Sequence, residues 1–306
     1  MFQLMTRWSG FAAMAATVVV WAGFALSIRG IGASSLTTTD VALIRFTTPV
    51  VLLSPWIPRT LRSLSGERPA VIVALCAGAG LPYFAVSALG GRLTSAALVG
   101  LVIPGVVPMF VAVIAYRMWG LKIRRAQAAA LGVIVVGVAA SVSGRTGAGI
   151  AVLLLAGLIW SVYTIALRVT RLDPIGAALV LCVPSALITA ALIGSGLTES
   201  HLTLNTDTLV YVVVQGAGVG VVAALCYSIA IRRLGPRLAS CLGALAPVLT
   251  TIVAVPLLGE PITPSTLISL VLIVAGVVLF PLIPTGGTPH AADRRPVVAA
   301  HGGVRR

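Results

Sequence analysis

Long apolar runs without charge are the feature that most constrains this chain. They extend over roughly 17 to 23 residues each, and as helices they are long enough to cross the roughly 30 Å hydrocarbon layer of a bilayer. The 306 residues include only 21 Lys+Arg and 7 Asp+Glu, or 9% charged, against about 25% in a soluble domain. This pattern excludes a water-soluble globule and predicts an all-α polytopic membrane protein.

Ten such runs predict ten transmembrane helices. The first run resembles a signal peptide in length, but the nine that follow favour an uncleaved first helix. The predicted spans are residues 11–28, 41–58, 70–89, 95–115, 126–143, 149–167, 175–194, 208–230, 238–258 and 264–283.

The basic residues predict the orientation of the helices. With a cytoplasmic N-terminus, the inner segments hold 17 of the 21 Lys and Arg residues, the outer loops hold Arg29, Arg92 and Arg145, and Arg45 lies within a span. Because positive charge is retained on the cytoplasmic side, both termini are predicted to be cytoplasmic in a cell-membrane protein. The net charge of +14 therefore reflects topology, and we expect no nucleic-acid partner.

An internal repeat divides the chain. At a shift of 139 residues, Trp21 lies opposite Trp160 and Pro108 lies opposite Pro247, while the third and eighth spans match at a shift of 138. One register that holds along the whole chain indicates two related units. Because each unit has five spans, the second must run through the membrane inverted, an arrangement typical of transporters that bind substrate near the midplane.

Three segments follow from this division. Residues 1–143 form the first predicted five-helix repeat and residues 144–284 the second. Residues 285–306 are polar and basic, and we expect a disordered cytoplasmic tail there.

Two motifs in the second unit carry a family resemblance. Leu258-Gly259-Glu260-Pro261-Ile262-Thr263 lies between the ninth and tenth spans, and Ala275-Gly276-Val277 lies inside the tenth. With the ten spans, the chain resembles the EamA-type branch of the drug/metabolite transporter (DMT) superfamily over about residues 10–284. In that family an acidic residue usually lies near the end of the fourth span as well. The register of the repeat puts Leu121 opposite Glu260, so the first unit departs from that pattern. The resemblance implies a solute carrier, often one that exports amino acids or related metabolites.

Aromatic residues near the middle of two spans are candidate substrate-binding residues. Trp21 and Trp160 each lie about 15 Å deep, at 1.5 Å of rise per residue, away from the interface where Trp commonly collects. Phe24 and Tyr163 follow three positions later on the same helical faces. These four side chains could line an apolar pocket, or they could fill space between helices or face lipid.

Polar and proline residues within the spans complete the candidate site. An ionisable residue inside a membrane span is a functional candidate, and Arg45 could bind a substrate carboxylate, extend to the interface or pair with Asp40. Pro108 and Pro247 could free backbone carbonyls for binding or only kink their helices. Tyr83 and Gln215 could line the pathway or bond to a neighbouring helix. Glu260 is expected to fix the turn into the tenth helix.

No pattern of catalysis or of metal or cofactor binding occurs in the sequence. No span contains a carboxylate at depth, the three histidines lie in loops or the tail, and the cysteines show no metal-like spacing. We therefore expect no enzyme activity, no cofactor and little proton coupling through side chains. The favoured hypothesis is a transporter that exports a small metabolite by alternating access. The alternative is a non-transporting scaffold or lipid-handling protein of the same architecture.

Overall fold

A computed structural model describes the backbone of residues 2–120, 123–141, 147–243 and 245–283, and side chains within those ranges except at 2–7, 231–232, 235–241 and 281. The predicted boundary between the two repeats and the predicted tail at 285–306 lie outside the described residues. Every regular element in the described ranges is a helix.

The helices follow the apolar runs of the sequence. A π-helix, Val212–Ala223, separates the tenth and eleventh α-helices, and short 3-10 turns lie at Ile31–Ala33 and Ser54–Trp56. The α-helices are α1 Phe2–Gly30, α2 Thr38–Leu52, α3 Ile57–Leu64, α4 Pro69–Ala79, α5 Leu81–Leu93, α6 Ala96–Trp119, α7 Arg125–Ser141, α8 Gly147–Val169, α9 Pro174–Gly194, α10 Thr206–Tyr211, α11 Ala224–Gly243, α12 Leu245–Leu258 and α13 Pro264–Leu282.

Many of these helices are suited to a membrane. Within the described residues, 6 are long and apolar enough to cross it, or up to 7 if the bent pair Thr38–Leu52 and Ser54–Leu64 is one span. Three further apolar helices, Arg125–Ser141, Leu245–Leu258 and Pro264–Phe280, are shorter. The protein is thus a multi-pass, all-helical membrane protein, and the count of ten spans stays a prediction.

Three predicted spans are not uniform helices. The second bends by 62° after α2, so that α3 leaves the direction of the span. The third breaks at Gly80, where the backbone N–H of Leu81 donates to Ser185 Oγ at 3.0 Å. The eighth contains the π-helix. Sequence hydropathy predicts the apolar length of these segments but not their backbone breaks.

The helices of the N-terminal and C-terminal halves pack mainly against each other. α1 packs on the π-helix and α11, α8 packs on α4, α5 and α6, and α7 packs on α13. The large core cluster extends from α1 to α13 and includes Phe46, Phe84, Leu101 and Ile134, all nearly inaccessible to solvent. Packing between the halves therefore holds the centre of the molecule together.

Glycines allow α7 and α13 to approach closely. A Cβ at Gly137 would lie 2.7 Å from Ile273 Cγ1, and a Cβ at Gly276 would lie 2.5 Å from Ile134 Cγ1. Each glycine thus receives the isoleucine of the opposite helix, and both isoleucines are fully buried. The contact is reciprocal.

Candidate functional site

Trp21 of α1 and Trp160 of α8 line the same three neighbouring cavities. Their volumes are about 60, 60 and 70 Å³, and each is partly open to its surroundings. Both tryptophans are partly buried. The two tryptophans predicted from the repeat therefore meet at one place in the molecule.

Aromatic rings surround Trp160. Its ring centroid lies 4.8 Å from that of Tyr83 and 5.1 Å from that of Tyr163, both at tilted angles. Tyr83 in turn stacks on Phe24, with centroids 6.1 Å apart. α1, α5 and α8 thus bring together four of the predicted site residues as one wall of the cavities.

Tyr227 of α11 was not among the predicted site residues. Its ring lies 5.0 Å from that of Trp21, and it lines two of the cavities. Tyr227 lies near the inner end of the predicted eighth span, where an aromatic residue is ordinarily an interfacial one. Its place in the sequence therefore gave no reason to assign it to the cavity.

Arg45 lies at the middle of α2, and its side chain is buried, with 5% exposure. Its Nη1 donates a hydrogen bond of 2.6 Å to Gln215 Oε1. The guanidinium carbon lies 5.1, 5.6 and 5.7 Å from the ring centroids of Phe24, Phe46 and Phe84. The aromatic faces attract the cation and fix its position next to the cavities.

The alternatives of extension to the interface and pairing with Asp40 are both wrong for Arg45. Burial excludes the first. The Asp40 carboxylate instead accepts hydrogen bonds from Thr37, in a capping box at the start of α2, and from Ser200 and the backbone N–H of His201. These bonds use the carboxylate to hold the end of α2 and leave Arg45 without it.

Gln215 is fully buried in the π-helix and connects three segments. Besides accepting from Arg45, it donates from Nε2 to Ser27 Oγ of α1 at 2.8 Å. The Tyr211 hydroxyl donates to the Ser27 carbonyl oxygen at 3.0 Å. The sequence gives no signal for Ser27, which is one of many hydroxyls in apolar runs. Gln215 thus positions Arg45 and does not line any of the three cavities.

The predicted prolines lie at the third cavity. Pro108 of α6 and Pro247 of α12 both line it, together with Pro104. Pro108 lies inside α6, and Pro247 lies near the described start of α12, which follows residue 244, outside the described residues.

Glu260 contacts the start of a helix that is distant from it in sequence. Both of its carboxylate oxygens accept from the backbone N–H of Ala96 at 3.0 Å, and Oε1 lies 3.4 Å from Arg29 Nε. Glu260 therefore caps α6, the fourth predicted span, from the connection between α12 and α13. A carboxylate at this end of a helix is stabilised by the helix dipole.

Metal-binding chemistry has no obvious place in the described part of the chain. Within it, no three His, Cys, Asp or Glu side chains are grouped closely enough to hold a metal ion. The cavities combine aromatic rings, small apolar residues and one guanidinium. Such a lining can bind an organic molecule, with the rings contacting its apolar part and the guanidinium orienting a polar group.

Comparisons with known proteins agree with this architecture. Residues 147–281 match the model of the EamA-like transporter family, which confirms the predicted resemblance in the second half of the chain. A solved structure described only as "Crystal structure of protein" superposes with a TM-score of 0.61 at 22% identity, covering 89% of this chain and 96% of that one. The two share a fold. No curated protein matches the chain.

Proposed function

We propose, from the EamA-like match of residues 147–281, that the protein is a DMT-type transporter that exports a small metabolite, such as an amino acid. It works in the cell membrane by alternating access of two inverted halves, with both termini cytoplasmic. The observation that carries the proposal is the set of cavities lined by Trp21 and Trp160. These tryptophans occupy equivalent positions in the two halves, so a ligand between them contacts both.

The reciprocal contact between α7 and α13 supports inverted halves. Ile134 and Ile273 are 139 positions apart, as are Gly137 and Gly276. Each isoleucine packs against the glycine of the other helix, with near-identical close approaches. Two related helices that exchange the same contact are expected around a pseudo-twofold axis.

Helix neighbours support the same arrangement. In the register of the repeat, α1 corresponds to α8, and α4 with α5 corresponds to α10, the π-helix and the first part of α11. α1 packs on the π-helix and α11, as α8 packs on α4 and α5. If each half adopts the conformation of the other, the cavities between the halves open first to one side of the membrane and then to the other.

The cavities favour transport over a scaffold or lipid-handling role. A static scaffold would be expected to fill its centre with close-packed side chains. Here polar and charged atoms of Arg45 and Tyr83 and the ring of Trp160 line space at the centre. Such space is costly in a protein without a ligand, and it is typical of a small-molecule site.

We expect Trp21→Ala and Trp160→Ala each to reduce substrate flux roughly tenfold or more, because each removes a large ring surface from the cavity. Candidate substrates come first from a screen for metabolite resistance in cells that overproduce the protein. Flux of each hit is then measured in liposomes containing purified protein.

Trp8→Ala is the matched control. Trp8 is 71% exposed and lies outside the cavities, so its variant should transport like the unchanged protein. Melting temperatures of all three variants report whether each is folded. Unchanged flux in both cavity variants would contradict the aromatic site, and failure to transport any hit would contradict transport itself.

A further inference from the structure

Arg45 lies next to the cavities without an acidic partner among the described residues. Its guanidinium donates to Gln215 and lies over three phenylalanine rings. The acidic side chains that the structure describes bond elsewhere, to loop hydroxyls, backbone N–H groups or surface cations. These are Asp40, Glu67, Asp173, Glu199, Asp207 and Glu260.

The hydrogen-bonding capacity of Arg45 is also incompletely used. A guanidinium has five N–H donors. Nη1 donates to Gln215, whereas Nε is buried and has no acceptor in the described part of the chain. A buried charge with an unsatisfied donor is unfavourable unless something else neutralises it. Because Arg45 lines two of the cavities, a ligand in them can supply the negative charge and accept a hydrogen bond from the guanidinium.

We propose that Arg45 binds the carboxylate of the substrate, while Trp21 and Trp160 contact its apolar body. This inference rests on the proposed transport function and names the substrate class, small organic carboxylates with an apolar or aromatic part. A carboxylate presents two oxygens to a guanidinium and can bind it bidentately. Gln215 and the phenylalanines hold the guanidinium in place before the substrate arrives.

The surrounding charges favour a carboxylate over a phosphate. Arg45 lines two of the three cavities, and among the described residues it is the one charged side chain in their lining. One guanidinium neutralises one negative charge, whereas a phosphate carries up to two negative charges at neutral pH. The remaining polar groups of the lining include the hydroxyls of Tyr83 and Ser228, which are neutral. A substrate with one carboxylate therefore leaves no net buried charge.

The test uses three probes with the same ring and chain length: 3-phenylpropanoate, 3-phenylpropan-1-ol and 3-phenylpropylamine. Their binding to the purified full-length protein is followed through tryptophan fluorescence, since Trp21 and Trp160 face the cavities. We expect the unchanged protein to bind the carboxylate roughly ten- to hundredfold more tightly than the alcohol, and the amine most weakly.

Variants test whether Arg45 causes the preference for the carboxylate probe. Arg45→Gln should lose the preference and still bind the alcohol, and Arg45→Lys should keep part of it, because it retains the charge without the bidentate geometry. The control Arg92→Gln removes an exposed arginine and should bind like the unchanged protein. Retained binding of the alcohol shows that a variant is folded.

Three results would overturn the inference: equal affinity of the unchanged protein for carboxylate and alcohol, full preference in Arg45→Gln, or no binding of any probe. None of these binding results bears on the flux of the metabolites that the resistance screen identifies. A protein that transports those metabolites but shows no carboxylate preference keeps its proposed function and loses this inference. A protein without any flux loses the function itself.

Discussion

Single glycines set the distance between α7 and α13. We expect Gly276→Ala to destabilise the protein by about 1–3 kcal/mol, because the added methyl would lie 2.5 Å from Ile134 Cγ1 and 2.8 Å from the Ala130 carbonyl oxygen. The backbone oxygen cannot move without moving α7. The melting temperature of the purified protein in detergent measures the effect.

Gly132→Ala is the matched control at this scale. Gly132 lies in α7 as well, and no atom lies within 4 Å of a Cβ at that position. Since alanine is the better helix former, Gly132→Ala should melt at the same temperature or slightly higher. Equal melting temperatures for both variants would show that the helices are not in close contact at Gly276.

At the scale of the element, the first turn of α6 depends on a residue far away in sequence. We expect Glu260→Gln to cost about 1–2 kcal/mol, because it removes a charged acceptor from the Ala96 N–H. The ion pair with Arg29 adds little, since the Arg29 side chain is 41% exposed. Hydrogen exchange at the first turn of α6 should become faster.

Glu199→Gln serves as its control. Glu199 is 89% exposed, and its carboxylate lies 3.8 Å from the His201 ring, so the melting temperature should not change. Unaltered hydrogen exchange in the first turn of α6 in the Glu260 variant would contradict the cap. The comparison separates a local effect on α6 from a general loss of negative charge.

The helices also show how much of this fold the sequence predicts. Apolar runs and the repeat located the helices and brought Trp21, Trp160 and Arg45 into consideration, because each signal is local or periodic. The break at Gly80 and the partner of Glu260 depend on contacts between segments distant in sequence, at Ser185 and Ala96. Hydropathy carries no information on such contacts, so the sequence alone could not predict them.

At the scale of the whole molecule, Glu67 joins the connection before α4 to the one after α8. Its Oε2 accepts from Thr170 Oγ1 at 2.6 Å and from the backbone N–H of Arg171 at 2.7 Å. Partial desolvation raises the pKa of Glu67, but these hydrogen bonds lower it more, so the pKa lies below its usual value. The carboxylate therefore stabilises the folded protein when it is ionised.

Because the pKa of Glu67 is lowered in the folded protein, we expect the protein to lose stability in acid. The stabilisation by Glu67 is fully present above the unfolded-state pKa of about 4.3 and is lost as the pH falls through the lower folded-state value. Between pH 6 and pH 3, roughly, the melting temperature should fall less steeply in Glu67→Gln than in the unchanged protein. Thr170→Val, which keeps the carboxylate but removes one donor, should lie between them. Parallel curves for all three proteins would contradict the contribution of Glu67.

The π-helix at Val212–Ala223 has a consequence for chain length. Its turns are wider than those of an α-helix, so it accommodates more residues over the same distance. The alignment between the two repeats slips by one position in the pair of spans that contains it. Removal of one residue ahead of Gln215 would turn the amide around the helix axis by the step of one residue, away from Arg45. The number of residues in this turn, and not only the identity of its side chains, therefore determines where the guanidinium of Arg45 is held.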